Sequence, residues 1–107
     1  MVARLTIPTR LVLAVLLTDP ATERYGLEIA QQSGLPTGTL HPILARLEAH
    51  GWASSRWEEV DAAEVGRPRR RYYRLTDEGR REAARRLAAA RPLPRLGEPV
   101  VRLAGRS

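Results

Sequence analysis

The most regular hydrophobic pattern in the chain lies between Gly34 and Gly51. There Leu40, Ile43, Leu44 and Leu47 fall at i, i+3, i+4 and i+7, the spacing that sets four side chains on one face of a helix. The remaining positions are small or polar: Thr39, His41, Ala45, Arg46 and Ala49. A helix is therefore predicted from Thr37 to about His50. With Thr37 or Thr39 as its cap, Pro42 falls within or just past the first turn, where a missing N–H does little harm. A helix buried on one side and nearly smooth on the other is shaped to enter a groove.

Helices are also predicted on either side. Pro8–Leu17 reads as a first helix, apolar almost all round from Leu11 to Leu17, and ended by Thr18-Asp19-Pro20. A second is predicted from Thr22, its N-cap, to Ser33, with Tyr25, Ile29 and Ala30 inward. The Gly34 turn then joins two helices in the helix-turn-helix manner. Beyond Gly51 the period changes. Trp52–Glu58 and Arg69–Leu75 read as strands, with Glu59–Pro68 as the loop between them. A hairpin directly after the third helix makes the arrangement a winged helix-turn-helix. Trp52 and Trp57 are expected to pack rather than to stack on bases.

A fourth helix is predicted from Thr76, its N-cap, through Ala90, with Asp77 and Glu78 at the positive end of its dipole. Ala83, Ala84, Leu87, Ala88 and Ala90 form a small-residue face, and Glu82 and Arg86 are spaced to pair. Arg91-Pro92 breaks the helix. Residues 95–107 read either as one more short helix, through Leu96, Val100, Val101 and Leu103, or as a disordered end. The expected fold is mainly α with a small β-hairpin. Residues 1–76 would form the winged helix-turn-helix and 77–107 a C-terminal dimerisation helix and tail.

Charge sharpens this picture. The 107 residues carry a net charge of +6, and all 18 basic residues are Arg. GC-rich coding favours Arg over Lys, so position says more than the total. Residues 1–50 balance four Arg against four acids; residues 51–75 carry six against four, and 76–107 eight against four. The excess falls in the second half, as on a polyanion-binding face. The chain has no cysteine, which excludes disulfides and thiolate metal sites. No apolar run approaches the ~20 residues that span a bilayer. The cytoplasm, in association with the nucleoid, is the expected compartment.

Candidate DNA contacts follow from these placements. On the third helix they are Thr37, Thr39, His41 and Arg46, since Thr and Arg suit phosphates and Arg also suits guanine edges. The bland alternative is a solvated helix face, and for His41 local packing. Gly66-Arg67-Pro68-Arg69-Arg70-Arg71 is the densest basic stretch. An extended Gly-Arg-Pro segment suits a narrow minor groove; the bland alternative is a solvated basic loop. Arg67, Arg69 and Arg70 are the wing candidates, with Arg67 and Arg69 expected at the tip. Alternation separates Arg69 and Arg71 from Arg70 and Arg74. Glu58, Glu59, Asp61 and Glu64 must point away or pair locally. Arg80, Arg81, Arg85 and Arg86 read as a solvated helix face. An enzyme finds no support: there is no Gly-rich phosphate loop and no paired carboxylates. His41 and His50 sit too far apart along one helix to share a metal. No cofactor is expected.

Three ordered motifs resemble one family. Tyr25-Gly26-Leu27-Glu28-Ile29, Gly38 through Gly51, and Arg70-Arg71-Tyr72-Tyr73-Arg74-Leu75-Thr76-Asp77-Glu78-Gly79 are similar to the PadR-like transcriptional regulators across roughly residues 10–90. The resemblance implies a bacterial winged-helix repressor, dimeric through its terminal helices, acting on double-stranded DNA at a pseudo-palindromic operator. It also implies a small-molecule effector of unidentified chemistry. Two departures stand out: His41 occupies a position where the family usually has Tyr, and no aromatic residue follows Tyr73. Members that hold flat ligands between interface aromatics therefore offer no template for this tail. The alternative function is a winged-helix protein–protein adaptor or dimerisation module without operator binding.

Overall fold

The computed structural model describes residues 5–90 and residue 92. The expected tail 95–107, and with it most of the proposed dimerisation tail, lies outside the described residues. Among the described residues five helices and three short strands follow in the order α1 (Ile7–Thr18), β1 (Arg24–Tyr25), α2 (Gly26–Ser33), α3 (Thr37–Ala49), β2 (Ala53–Trp57), α4 (Ala62–Val65), β3 (Arg71–Leu75) and α5 (Asp77–Ala89).

Helix α1 is the hub, because its sequence is apolar on nearly every side. Leu11, Val12, Leu13, Val15 and Leu16 are all at most 1% exposed, and the helix meets α2, α3, α5 and β3. Thr6 caps it, accepting the Thr9 N–H at 3.3 Å. The predicted stripe of α3 is buried as a unit with Ile29 and Leu35, so the helix-turn-helix pair is docked through one continuous core. The turn between α2 and α3 rests on Gly34 at φ +79°, a conformation open to glycine at little cost. Its N–H reaches Ala30 O at 2.9 Å.

The second helix is capped three residues later than its sequence predicts. Thr22 does not cap it; its hydroxyl instead donates to Asp19 Oδ2 at 2.6 Å, closing the turn after α1. Arg24 and Tyr25 are drawn into a strand that pairs antiparallel with Tyr73 and Tyr72. The cap is Tyr25, whose N–H is held by Glu28 Oε1 at 3.0 Å. The hairpin is thus a three-stranded sheet ordered β1-β3-β2. A two-residue strand has no periodicity to announce it. It exists because β3 offers a free edge. Asp61 caps α4 within the expected loop, accepting the Ala63 N–H at 2.9 Å.

Helix α5 begins at Thr76, as its sequence predicts. The Thr76 Oγ1 accepts the Gly79 N–H at 3.0 Å and donates to Gly51 O at 2.6 Å. Its N–H reaches Trp52 O at 2.9 Å, so one residue ties the end of α3, the start of the wing and α5 together. Ala83 is fully buried, with Leu87 packed against the same core. Ala84 and Ala88 face outward.

Candidate nucleic-acid interface

Successive helix residues turn by about 100°, so burying Leu40, Ile43, Leu44 and Leu47 fixes what α3 shows to solvent. Gly38, Pro42, Ala45 and Ala49 occupy the middle of the exposed face, all small or compact. Pro42 deprives the Gly38 carbonyl of its helical donor, on a face where water can replace it. Thr39 and Arg46 flank this strip on one side, Thr37 and His41 on the other; all four are exposed. Arg46 borders a cleft of about 240 Å³ with Leu5, Thr6, Thr9, Ile43, Leu47 and His50. The imidazole of His41 lies next to Gly26 at the start of α2. All four expected α3 residues are therefore exposed, Thr39 and Arg46 along one edge of the strip and Thr37 and His41 along the other.

The wing root is bound to α3 from beneath. Ser55 Oγ donates to Glu48 Oε2 at 2.7 Å and accepts the Arg71 Nε at 2.9 Å. The Arg71 guanidinium lies 5.1 Å from the Trp57 ring, itself 54% exposed rather than packed inside. Trp52 does pack, at 5% exposure, with Arg86 over its ring at 5.1 Å. Arg86 is thus not part of a solvated face; it bonds Glu82 at 3.3 Å, the pairing its spacing predicts.

On the sheet's outer face the register aligns Tyr25, Tyr72 and Arg56 across the three strands. The Tyr25 and Tyr72 rings meet edge to face at 5.8 Å. Arg70 lies over Tyr25 at 4.1 Å and Arg56 over Tyr72 at 5.2 Å, both within cation–π range. Arg56 also grips Glu23 through contacts of 2.7–3.0 Å, and this hydrogen bonding lowers the Glu23 pKa. Sequence reading missed Tyr25, Tyr72, Arg56 and Glu23 as a group. Spacing could not find it, since Glu23 and Arg56 lie too far apart in the chain to be linked that way.

At the wing tip, Glu58 has found a local partner, as it must if it is not to repel phosphate. Both Arg67 terminal nitrogens bind it, Nη1 to Oε1 at 2.8 Å and Nη2 to Oε2 at 3.0 Å. Arg70 N–H adds a contact to Oε1 at 3.1 Å. The Arg67 hydrogen bond is the main reason the Glu58 carboxyl titrates at about 2. Of the residues expected at the DNA, Arg67 is engaged by a carboxylate and Arg70 by an aromatic face. Arg69 stays exposed, bordering an open hollow with Trp57, Glu58, Glu59, Val60 and Asp61.

Among the described residues no helix is long and apolar enough to cross a membrane. None of their His, Asp and Glu side chains gather in threes as a metal site requires.

Comparison with known proteins agrees with this geometry. The model of the transcriptional regulator PadR-like family matches residues 12–85. No functionally curated protein matches the chain. Among solved structures, a PadR family regulator from Eggerthella lenta DSM 2243 is 31% identical with a TM-score of 0.61, covering 78% of this chain and 73% of its own. Another, from hypervirulent Clostridium difficile R20291, is 27% identical with a TM-score of 0.63, covering 78% and 86%. The overoxidized form of AbfR, solved bound to DNA, is 26% identical with a TM-score of 0.63 over 79% of this chain, which spans 56% of that protein. By its winged helix and a family model that covers its core, the chain belongs to the PadR-like family of transcriptional regulators and is a DNA-binding transcription regulator.

Proposed function

We propose that the protein is a homodimeric repressor that occludes a promoter by placing α3 in the major groove of a pseudo-palindromic operator. The observation that carries this reading is the exposed face of α3. Its compact centre of Gly38, Pro42, Ala45 and Ala49 allows close approach to base edges, while Thr37, Thr39, His41 and Arg46 stand on either side to reach bases and phosphates. The Arg67–Arg70 segment lies along the backbone or the adjacent minor groove. Dimerisation runs through residues 77–107, with Ala84 and Ala88 offering an exposed small-residue surface on α5. The two α3 helices then stand about one DNA turn, roughly 34 Å, apart. The protein works in the cytoplasm on nucleoid DNA, and a small-molecule effector of unidentified chemistry relieves repression. DNA-bound AbfR supports DNA as the partner by analogy of fold.

A duplex selected by the protein from a random-sequence library tests the reading, titrated against salt beside a scrambled control. Preference for the selected duplex with steep salt dependence, at a stoichiometry of two chains per duplex, is expected. Binding indifferent to sequence at low salt overturns it.

A further inference from the structure

The wing region holds six arginines, Arg56, Arg67, Arg69, Arg70, Arg71 and Arg74, and the structure does not use them alike. Arg56 is bound to Glu23 and Tyr72, Arg71 to Ser55 and Trp57, and Arg70 to Tyr25. Glu58 takes the Arg67 fork and the Arg70 N–H together, while its own N–H donates to Arg70 O at 2.8 Å. This bonding continues the β2–β3 ladder past Trp57 and Arg71. It fastens the beginning of the long connection to its end, on either side of α4. A guanidinium fork matched to both carboxylate oxygens fixes direction as well as distance. Among the described residues Arg69 and Arg74 are exposed and have no side-chain hydrogen bond, ion pair or ring contact; Arg74 lies on β3 near Glu23, whereas Arg69 lies inside the segment so fixed, beside the hollow it shares with Glu58, Glu59 and Asp61.

We infer that Glu58 and Arg67 form a strut that aims the wing tip, leaving Arg69 as the tip's phosphate ligand and making Arg67 a positioning residue. This deepens the proposed DNA-binding reading and rests on it. A phosphate-binding wing is thereby built from an acid. The density of arginine overstates the ionic contribution of the tip, because Glu58 cancels the charge of Arg67 within the protein.

Three variants, Glu58→Ala, Arg67→Ala and Arg69→Ala, test it with two readouts. One is binding to the selected duplex as a function of salt; the other is hydrogen exchange of the Arg70 amide in the free protein. Arg69→Ala should weaken binding and make the slope of log K against log salt shallower by roughly 0.9 for each bound subunit, with Arg70 exchange unchanged. Glu58→Ala and Arg67→Ala should weaken binding several-fold at unchanged slope, and both should speed Arg70 exchange. If Glu58→Ala instead tightens binding and steepens the slope, while Arg67→Ala flattens it, Glu58 masks a phosphate ligand and the strut is refuted. Unchanged Arg70 exchange in both variants also refutes it. Loss of sequence preference by the wild-type protein defeats the functional reading alone, since the exchange measurement still decides the strut.

Discussion

Gly79 and Gly38 are both helical glycines, and the structure assigns opposite outcomes to the same substitution at each. A Cβ built on Gly79 falls 1.9 Å from the Trp52 carbonyl oxygen and 2.7 Å from its carbon. Ordinary contact begins at 3.4 Å, and the obstacle is backbone, which no rotamer change removes. Gly79→Ala therefore pushes the first turn of α5 off the residue that receives the Thr76 N–H at 2.9 Å. It also disturbs the Thr76 contacts to Gly51 and Gly79, and the seat of the fully buried Ala83. Overpacking of this kind costs about 1–3 kcal/mol, and each weakened hydrogen bond about 1 kcal/mol. Together they outweigh the ~1 kcal/mol by which alanine exceeds glycine in a helix. The expected net loss is about 2 kcal/mol or more, against a total of ~5–15 kcal/mol for a domain of this size. That corresponds to a fall in Tm of roughly 8 °C or more. At Gly38 nothing lies within 4 Å of the built Cβ, so Gly38→Ala should raise stability by up to ~1 kcal/mol. Urea unfolding followed by the fluorescence of buried Trp52 measures both. A Gly79→Ala protein as stable as wild type, or a Gly38→Ala protein less stable than Gly79→Ala, refutes the assignment.

Other outcomes follow from the same geometry. The Glu58 carboxyl titrates at about 2 in the folded protein against an ordinary 4.5, so its contribution to stability is fully present above pH ~4.5 and is lost as pH falls through about 2; Glu58→Gln should flatten that part of a Tm-against-pH profile, and an unchanged profile counts against the Arg67 fork. Arg46→Ala should lower affinity for the selected duplex and narrow its margin over a scrambled one by about 1–3 kcal/mol if Arg46 reaches a base; an equal loss on both duplexes leaves Arg46 as a phosphate contact only. Ser55→Ala removes the bridge between Glu48 and Arg71, whose nitrogen and oxygen otherwise lie 3.8 Å apart, and should cost about 1 kcal/mol in urea unfolding. Leu44→Ala, at a side chain 1% exposed, should cost about 2–5 kcal/mol in the same measurement; a smaller loss means that this core collapses around the gap.

The elements carried by long periodic segments were written locally. The α3 stripe, the apolar α1 and the Thr76 cap each depend on residues within one or two turns of one another, so spacing alone placed them. The outward set Thr37, Thr39, His41 and Arg46 follows from the same periodicity, because burying one side of a helix settles the other. What sequence could not supply depends on partners distant in the chain. Strand β1 is two residues long and exists only because the β3 edge is open to it, which converts Tyr25 from a helix residue into a cap and an aromatic support for Arg70. The proximity of Gly79 to Trp52 was invisible for the same reason. Trp57, expected to pack, sits at the surface under Arg71 because the wing extends beyond the core. Charge shows the division most plainly. Composition revealed an arginine-rich wing, but a cation's availability depends on what lies within a few ångströms of it. Only the fold decides that Glu58 takes Arg67, Tyr25 takes Arg70, and Arg69 is left facing outward.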